Sequence, residues 1–220
     1  MGKKKWKSFF YFFGKYYREK NITITMLKET LDEYPDLDID IYQLNNDDEK
    51  ITTWLERCSL EIEWVSGLIK IFGKEHKIPR LQSWYADKNI NYAYSGKNLA
   101  RNDWNEILNE IKKDIESKTS LEFNSVLANL YRNGNDSMGM HADDEKELGP
   151  KPVIASLSLG EERNIFFKHK YKNISFSVPQ ESGKLIVMKG NTQEFWKHGI
   201  KKTKKIKNPR INLTFRNIIS

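Results

Sequence analysis

The segment Arg210-Ile211-Asn212-Leu213-Thr214-Phe215-Arg216 alternates without a break, and it constrains the fold more than any other stretch of the chain. A period of two marks a β-strand, whose successive side chains project to opposite faces. Ile211, Leu213 and Phe215 form one apolar face; Arg210, Asn212, Thr214 and Arg216 form the other. Two arginines with two hydrogen-bonding groups do not make a core face. They face solvent at a sheet edge, or they line a cavity that takes an anion. A dicarboxylate suits such a face, because guanidinium binds carboxylate through a two-pronged fork. At ~3.3 Å per residue the arginines stand roughly 20 Å apart, so one small ligand meets both only if the strand curves.

Further strands are expected over Asn124–Tyr131, Val153–Leu159, Asn164–Lys170, Ile174–Pro179 and Lys184–Lys189, with the last running Arg210–Ile218. Turn residues such as Asn133-Gly134-Asn135, Gly149-Pro150 and Gly190-Asn191 punctuate them. Two helices precede the strands. One is capped by Asn46, Asp47 or Asp48 and runs through Ile51, Trp54 and Leu55. The other, about Asp103–Lys118, places Trp104, Ile107, Leu108, Ile111 and Ile115 on one face. Many short strands behind a helical lead-in predict an α+β domain, a jelly-roll or barrel with helices packed outside. Residues 1–44 differ in character, a basic aromatic start giving way to the acidic stretch Pro35–Asp40. We assign them to an N-terminal extension and residues 45–220 to the domain.

His141-Ala142-Asp143 is the first chemical signal. On an extended segment, residues two apart share a face, so an imidazole and a carboxylate converge. His198 lies 55 residues beyond Asp143, far enough for the chain to return on a neighbouring strand. Two His and one carboxylate leave other coordination positions open, the arrangement used by non-haem Fe(II) oxygenases. The same residues also fit ordinary surface or hydrogen-bonded roles. His76 and His169 sit among lysines (GKEHK, FKHKYK) and read as solvated.

The chain carries 37 Lys and Arg against 30 Asp and Glu, a formal charge of +7, which favours an anionic partner, either a phosphate backbone or a membrane surface. No apolar stretch approaches the ~18 residues of a membrane span. The run Phe9–Phe13 is too short for a signal peptide. Trp6 stands where a myristoylation signal at Gly2 needs Ser or Thr. Cys58 is the single cysteine, which excludes an intrachain disulfide and fits a reducing compartment, nucleus or cytoplasm.

Taken together, His141-x-Asp143, His198 and the string Arg-x-Asn-x-Thr-x-Arg at 210–216 resemble the AlkB family of Fe(II)- and 2-oxoglutarate-dependent nucleic-acid demethylases. The likeness extends through FNSVLANLYRNGNDSMGMHADDE at 123–145, PVIASLSLG at 152–160, Pro79-Arg80, and WYAD with YAYSG at 84–96. It spans Glu61 to Ile219. The resemblance implies a double-stranded β-helix, a base-recognition lid at about residues 60–100, and Fe(II) held by His141, Asp143 and His198. It implies that Arg210 and Tyr131 bind the distal carboxylate of 2-oxoglutarate, that Asn129 and Arg216 hold the keto-acid end, and that Asn212 and Thr214 line the pocket. Tyr94 corresponds to the aromatic that stacks on a flipped base, with Tyr92, Asp144 and Glu145 nearby. Phe72-Gly73 matches a wedge that fills the gap left in a duplex, and Lys204 and Lys205 a loop that grips the backbone. The implied reaction consumes O2 and removes methyl groups from N1-methyladenine and N3-methylcytosine, yielding formaldehyde, succinate and CO2. The expected partner is single- or double-stranded DNA, with RNA as the competitor, and the expected state a monomer. A catalytically silent nucleic-acid-binding module is the reading from another class, against which the intact triad and both arginines argue.

Overall fold

Period-two alternation builds most of this chain, and the computed structural model pairs the alternating segments into two facing sheets. It describes residues 31, 33–44, 48–71, 74–90, 93–94, 97–98, 100–205 and 208–219, with the backbone alone for 69–71, 74, 93–94 and 97–98. In chain order the elements are β1 (Asp38–Gln43), α1 (Asp48–Glu61), β2 (Val65–Ile71), β3 (Lys74–Ala86), β4 (Ala93–Tyr94), β5 (Lys97–Asn98), β6 (Arg101–Asn102) and α2 (Glu106–Thr119). There follow β7 (Ser125–Tyr131), β8 (Met138–His141), β9 (Ile154–Gly160), β10 (Arg163–His169), β11 (Ser175–Gln180), β12 (Lys184–Lys189), α3 (Thr192–Phe195), β13 (Trp196–Ile200) and β14 (Arg210–Arg216).

The larger sheet runs β1-β12-β9-β14-β7-β3-β2, with β6 attached to β3; the smaller runs β11-β10-β13-β8. Apolar side chains on one face of the large sheet, among them Val126, Leu157, Leu185, Ile211, Leu213 and Phe215, pack with Trp54 of α1 and Ile107, Ile111 and Ile115 of α2. From its other face Leu127, Ile154, Ile186 and Met188 meet Ile165, Phe167, Val178 and Trp196 of the small sheet. This is a double-stranded β-helix with helices outside. It decides the fate of β14, which lies between β9 and β7 and is covered on both faces, so that all seven of its residues are buried. The polar face therefore lines the space between the sheets, and the solvent-edge alternative is gone.

Helix α2 starts later than its periodicity suggests because Asn105 takes the cap, its side chain accepting from Leu108 N at 3.0 Å. Of the caps expected for α1, Asn46 and Asp47 lie outside the described residues, and Asp48 is the first helical residue. Cys58 of α1 is fully buried, and burial pushes its thiol up to about 12. Since the thiolate is the nucleophile, iodoacetamide at pH 8 is expected to leave Cys58 unlabelled until the protein is unfolded.

Two expectations need correction. Residues 38–43, placed in the extension, form β1, which pairs with β12 along its whole length and buries Ile39 and Ile41. The alternation Asp-Ile-Asp-Ile was legible there, but the acidic composition masked it. His169 is not solvated: it is 2% exposed, because it shares the inward face of β10 with Phe167 while Lys168 points out. Its Nδ1 accepts from the backbone of Tyr171 and Lys172, both at 3.0 Å, and its ring meets Trp196 edge-on. His76 is exposed as expected.

Candidate metal centre and co-substrate cavity

Register in the small sheet brings the two histidines together. β13 runs antiparallel to β8 with His198 directly opposite His141, and the ring centroids lie 4.4 Å apart. A side chain at Gly199 would meet the carbonyl oxygens of Met138 and Gly139 at 2.9 Å, so glycine permits this close approach. Asp143 lies two residues past the end of β8 and is fully buried. One ligand atom from each of His141, Asp143 and His198 lies within 4.8 Å of the others.

The electrostatics prepare Asp143 and His141 for a cation. Burial opposes ionisation of Asp143, but Arg216, whose Nη2 donates to Oδ1 at 2.6 Å, outweighs it together with the two imidazoles. The carboxyl is held far below the usual range and stays ionised. Its other oxygen, Oδ2, accepts no hydrogen bond and stands 3.5 Å from His198 Nε2. Burial, with His198 beside it, pushes the His141 imidazolium down to about 4, leaving the ring neutral at neutral pH. Because the Gly139 carbonyl, 3.0 Å from His141 Nδ1, can only accept, that nitrogen carries the proton and Nε2 presents its lone pair. An orphaned buried carboxylate oxygen, with the neutral His141 ring and the His198 ring both within reach, fits a divalent metal of the Fe(II) kind.

The triad opens on a cavity between the sheets lined also by Asn129, Tyr131, Ser156, Arg210, Asn212, Thr214 and Arg216. Both arginines of β14, six residues apart, line it. Arg216 holds the carboxylate of Asp143. Arg210 faces Tyr131 across the β14–β7 pair, with its guanidinium 5.3 Å from the ring, and donates from Nε to Ser158 Oγ at 2.9 Å. Its Nη1 is buried with no partner. Burial pulls this guanidinium down to about 10, still cationic at neutral pH, so Arg210 offers the cavity a desolvated positive charge with one donor unfilled. Asn212 and Thr214 fill the floor between, Asn212 donating to Ser156 Oγ at 2.9 Å and accepting from Thr214 at 3.0 Å.

A family model described as the 2OG-Fe(II) oxygenase superfamily matches residues 41–216. The Homo sapiens DNA oxidative demethylase ALKBH2 is 38% identical over 170 residues, covering 72% of this chain and 65% of its own length. Its Mus musculus counterpart is 35% identical over 182 residues, 78% of this chain and 75% of its own. This chain belongs to the AlkB family of 2OG-Fe(II) oxygenases. The Homo sapiens alpha-ketoglutarate-dependent dioxygenase alkB homolog 3 is 36% identical over 182 residues, 78% of this chain and 63% of its own. The chain thus spans just under two thirds of the two human relatives. A solved structure titled "The structure of OsALKBH1" superposes with a TM-score of 0.58 at 17% identity, covering 81% of this chain and 97% of that one, a likeness of fold. Fe(II), 2-oxoglutarate and O2 are the reagents of this AlkB family member's superfamily, and the His-Asp-His cluster is able to hold the metal.

The remaining expected residues of the AlkB site are placed as follows. Asp144 is exposed and pairs with Lys170 Nζ at 3.1 Å; Glu145 is half-buried just before a short 3-10 turn at Lys146–Leu148. Lys204 and Lys205 are exposed on the loop between β13 and β14, which Thr203 N fastens to Gly134 O at 2.8 Å. Tyr94 sits on β4 opposite Lys97. Phe72, Gly73 and Tyr92 lie outside the described residues. Sequence reasoning assigned no role to four polar neighbours. Arg80 donates to Asn129 Oδ1 at 2.7 Å, turning the amide nitrogen of Asn129 the other way. Ser158 and Ser156 share the inward face of β9, a pattern readable in IASLSLG. Gln193, which contacts Asp143, carried no signal at all.

Proposed function

We propose that this chain is a DNA oxidative demethylase acting on N1-methyladenine and N3-methylcytosine. The observation behind this is that one buried cavity is lined both by the His141-Asp143-His198 cluster, with its ionised carboxylate, and by the Arg210 guanidinium with an unfilled donor. That combination of charges suits a metal on the cluster and a dicarboxylate reaching from it to Arg210. The relatives named as DNA oxidative demethylases direct the choice of substrate.

His141, Asp143 and His198 would hold the iron, which supplies the oxidation of the alkyl carbon while O2 and 2-oxoglutarate become succinate and CO2 and formaldehyde is released. Arg210 and Tyr131 take the distal carboxylate; Asn129 and Arg216 orient the keto-acid end; Asn212 and Thr214 line the pocket between them. In the lid, about residues 60–100, Tyr94 stacks on the flipped base against His141, and Tyr92 and Glu145 approach its edge. Lys170 already offsets part of the charge of Asp144, so Asp144 contributes less field to a cationic ring than its position suggests. Lys204 and Lys205 grip the phosphate backbone, in keeping with a net charge of +7. A single cysteine supports a reducing compartment, nucleus or cytoplasm. No helix among the described residues is long and apolar enough to cross a membrane. We take the protein to act as a monomer.

The test is demethylation of methylated single-stranded DNA, duplex DNA and RNA by purified protein with Fe(II) and 2-oxoglutarate. Turnover on RNA alone would defeat the proposal. The same assay examines Phe72. Flipping a base from a duplex costs a few kcal/mol of unstacking, which an apolar wedge offsets by filling the vacated space. Phe72→Ala is expected to slow duplex repair about 5- to 30-fold, from a loss of roughly 1–2 kcal/mol, and to leave single-strand repair near wild type. Equal losses on both substrates would rule out the wedge.

A further inference from the structure

Asp143 is the one member of the triad that lies outside any strand. β8 ends at His141 and His198 sits within β13, each held by ladder hydrogen bonds, whereas Asp143 follows in irregular chain. Its backbone N–H instead donates to Oε1 of Gln193 at 2.9 Å, in a buried bond. Gln193 is 1% exposed and belongs to α3, the four-residue turn leading straight into the strand that carries His198. Its Nε2 donates to Met188 Sδ at 3.5 Å, so the amide is gripped at both ends. A second tie joins the same pair of segments. Lys170 Nζ donates to the main-chain carbonyl of Gln193 at 2.9 Å and to Asp144 Oδ2 at 3.1 Å.

We propose that Gln193 is a positioning residue for the metal carboxylate, with Lys170 as its second arm. The proposal rests on the assignment of His141, Asp143 and His198 to a metal. Asp143 must keep Oδ1 on Arg216 while aiming Oδ2 at the ion, and that requires a fixed backbone. With no ladder partner to fix it, the N–H of Asp143 takes a side-chain acceptor in place of a neighbouring strand. Glutamine suits the position on chemical grounds. Lys or Arg there could only donate, and Asp or Glu would place a second buried negative charge beside Asp143. Because Gln193 stands five residues before His198, one short segment sets both the imidazole and the carboxylate, so the ligands keep their spacing as a unit.

The experiment titrates metal-free protein with Co(II), whose visible spectrum reports the ligand field, and follows hydrogen exchange of the Asp143 amide in the same metal-free protein. Gln193→Met keeps the volume but removes the acceptor. It is expected to weaken Co(II) binding about 10- to 100-fold, the usual effect of losing an outer partner of a ligand, to alter the cobalt spectrum and to speed exchange at Asp143. Lys170→Met should shift affinity in the same direction by less. Wild-type cobalt affinity and spectrum in Gln193→Met would overturn the proposal. Should that variant fail to fold, Lys170→Met decides: weakened cobalt binding supports the proposal and unchanged binding overturns it. Asp143→Ala is the control. If it binds cobalt as tightly as wild type, the metal assignment itself falls; if only the Gln193 and Lys170 variants do, the metal assignment stands and the positioning role alone is lost.

Discussion

Replacing His141 with Ala is expected to abolish turnover at nearly unchanged stability, whereas Asp143→Ala should abolish turnover and also lower Tm by about 10 °C. The two residues belong to one cluster able to hold a metal but differ in what else they hold. The protein partner of His141 is a single backbone carbonyl at the half-buried end of β8. Asp143 is fully buried against Arg216 at 2.6 Å. Removing one member of a buried ion pair costs roughly 3–5 kcal/mol, because the other charge keeps its desolvation and loses its counterion. For a chain of this size each kcal/mol moves Tm by about 2–4 °C. Asp143→Asn separates the roles, since the amide oxygen still accepts from Arg216 while the metal loses an anionic ligand. It should regain part of the lost stability and none of the turnover. Thermal melts of the metal-free variants, run beside the demethylation assay, give the answer. Wild-type turnover in Asp143→Ala or His141→Ala would remove that residue from the metal, and equal melting of the two would mean that the Arg216 pair contributes nothing.

What could be read from the sequence divides along physical lines. β7, β9 and β14 were visible because the face they turn to the helices carries an apolar residue at every second position, and β12 because a strand apolar on both faces reads as a continuous run, Leu185–Met188. β8, Met138-Gly139-Met140-His141, has no such pattern; it is a strand only because β13 pairs with it. β13 itself was hidden between a turn and a charge run. The spacing of His141 and Asp143 suggested a shared face, but ordinary hydrogen-bonded roles fitted it equally until the wider likeness to the AlkB family joined His198 to the pair. His169 shows the opposite error: its lysine neighbours dominate the local composition, but period two sends them outward and the imidazole inward. The role of Gln193 depends on a contact across 50 residues, which no local pattern encodes.

The separation of the β14 arginines is the point where sequence and structure bear on each other most usefully, and it sets the second large effect. Six residues of extended chain set them roughly 20 Å apart, yet both line one cavity, Arg216 bonded to the carboxylate of Asp143 and Arg210 with an unfilled Nη1. A buried guanidinium with an unmade hydrogen bond is a cost to the ligand-free protein, and burial has already pulled Arg210 down to about 10. A ligand that brings the missing negative charge would offset that cost. Arg210→Met, which keeps the volume and removes the charge, should leave the ligand-free Tm unchanged or higher. It should raise the KM for 2-oxoglutarate by roughly 30-fold to several thousand-fold, from a loss of about 2–5 kcal/mol when a desolvated carboxylate loses its partner. Arg210→Lys keeps the charge without the fork and should fall between. Saturating 2-oxoglutarate should raise the Tm of wild type and not that of Arg210→Met, since only a ligand bound to the native state stabilises it. An unchanged KM in Arg210→Met would show that the distal carboxylate binds elsewhere. The unfilled Nη1 would then be a cost of the fold with no return in binding.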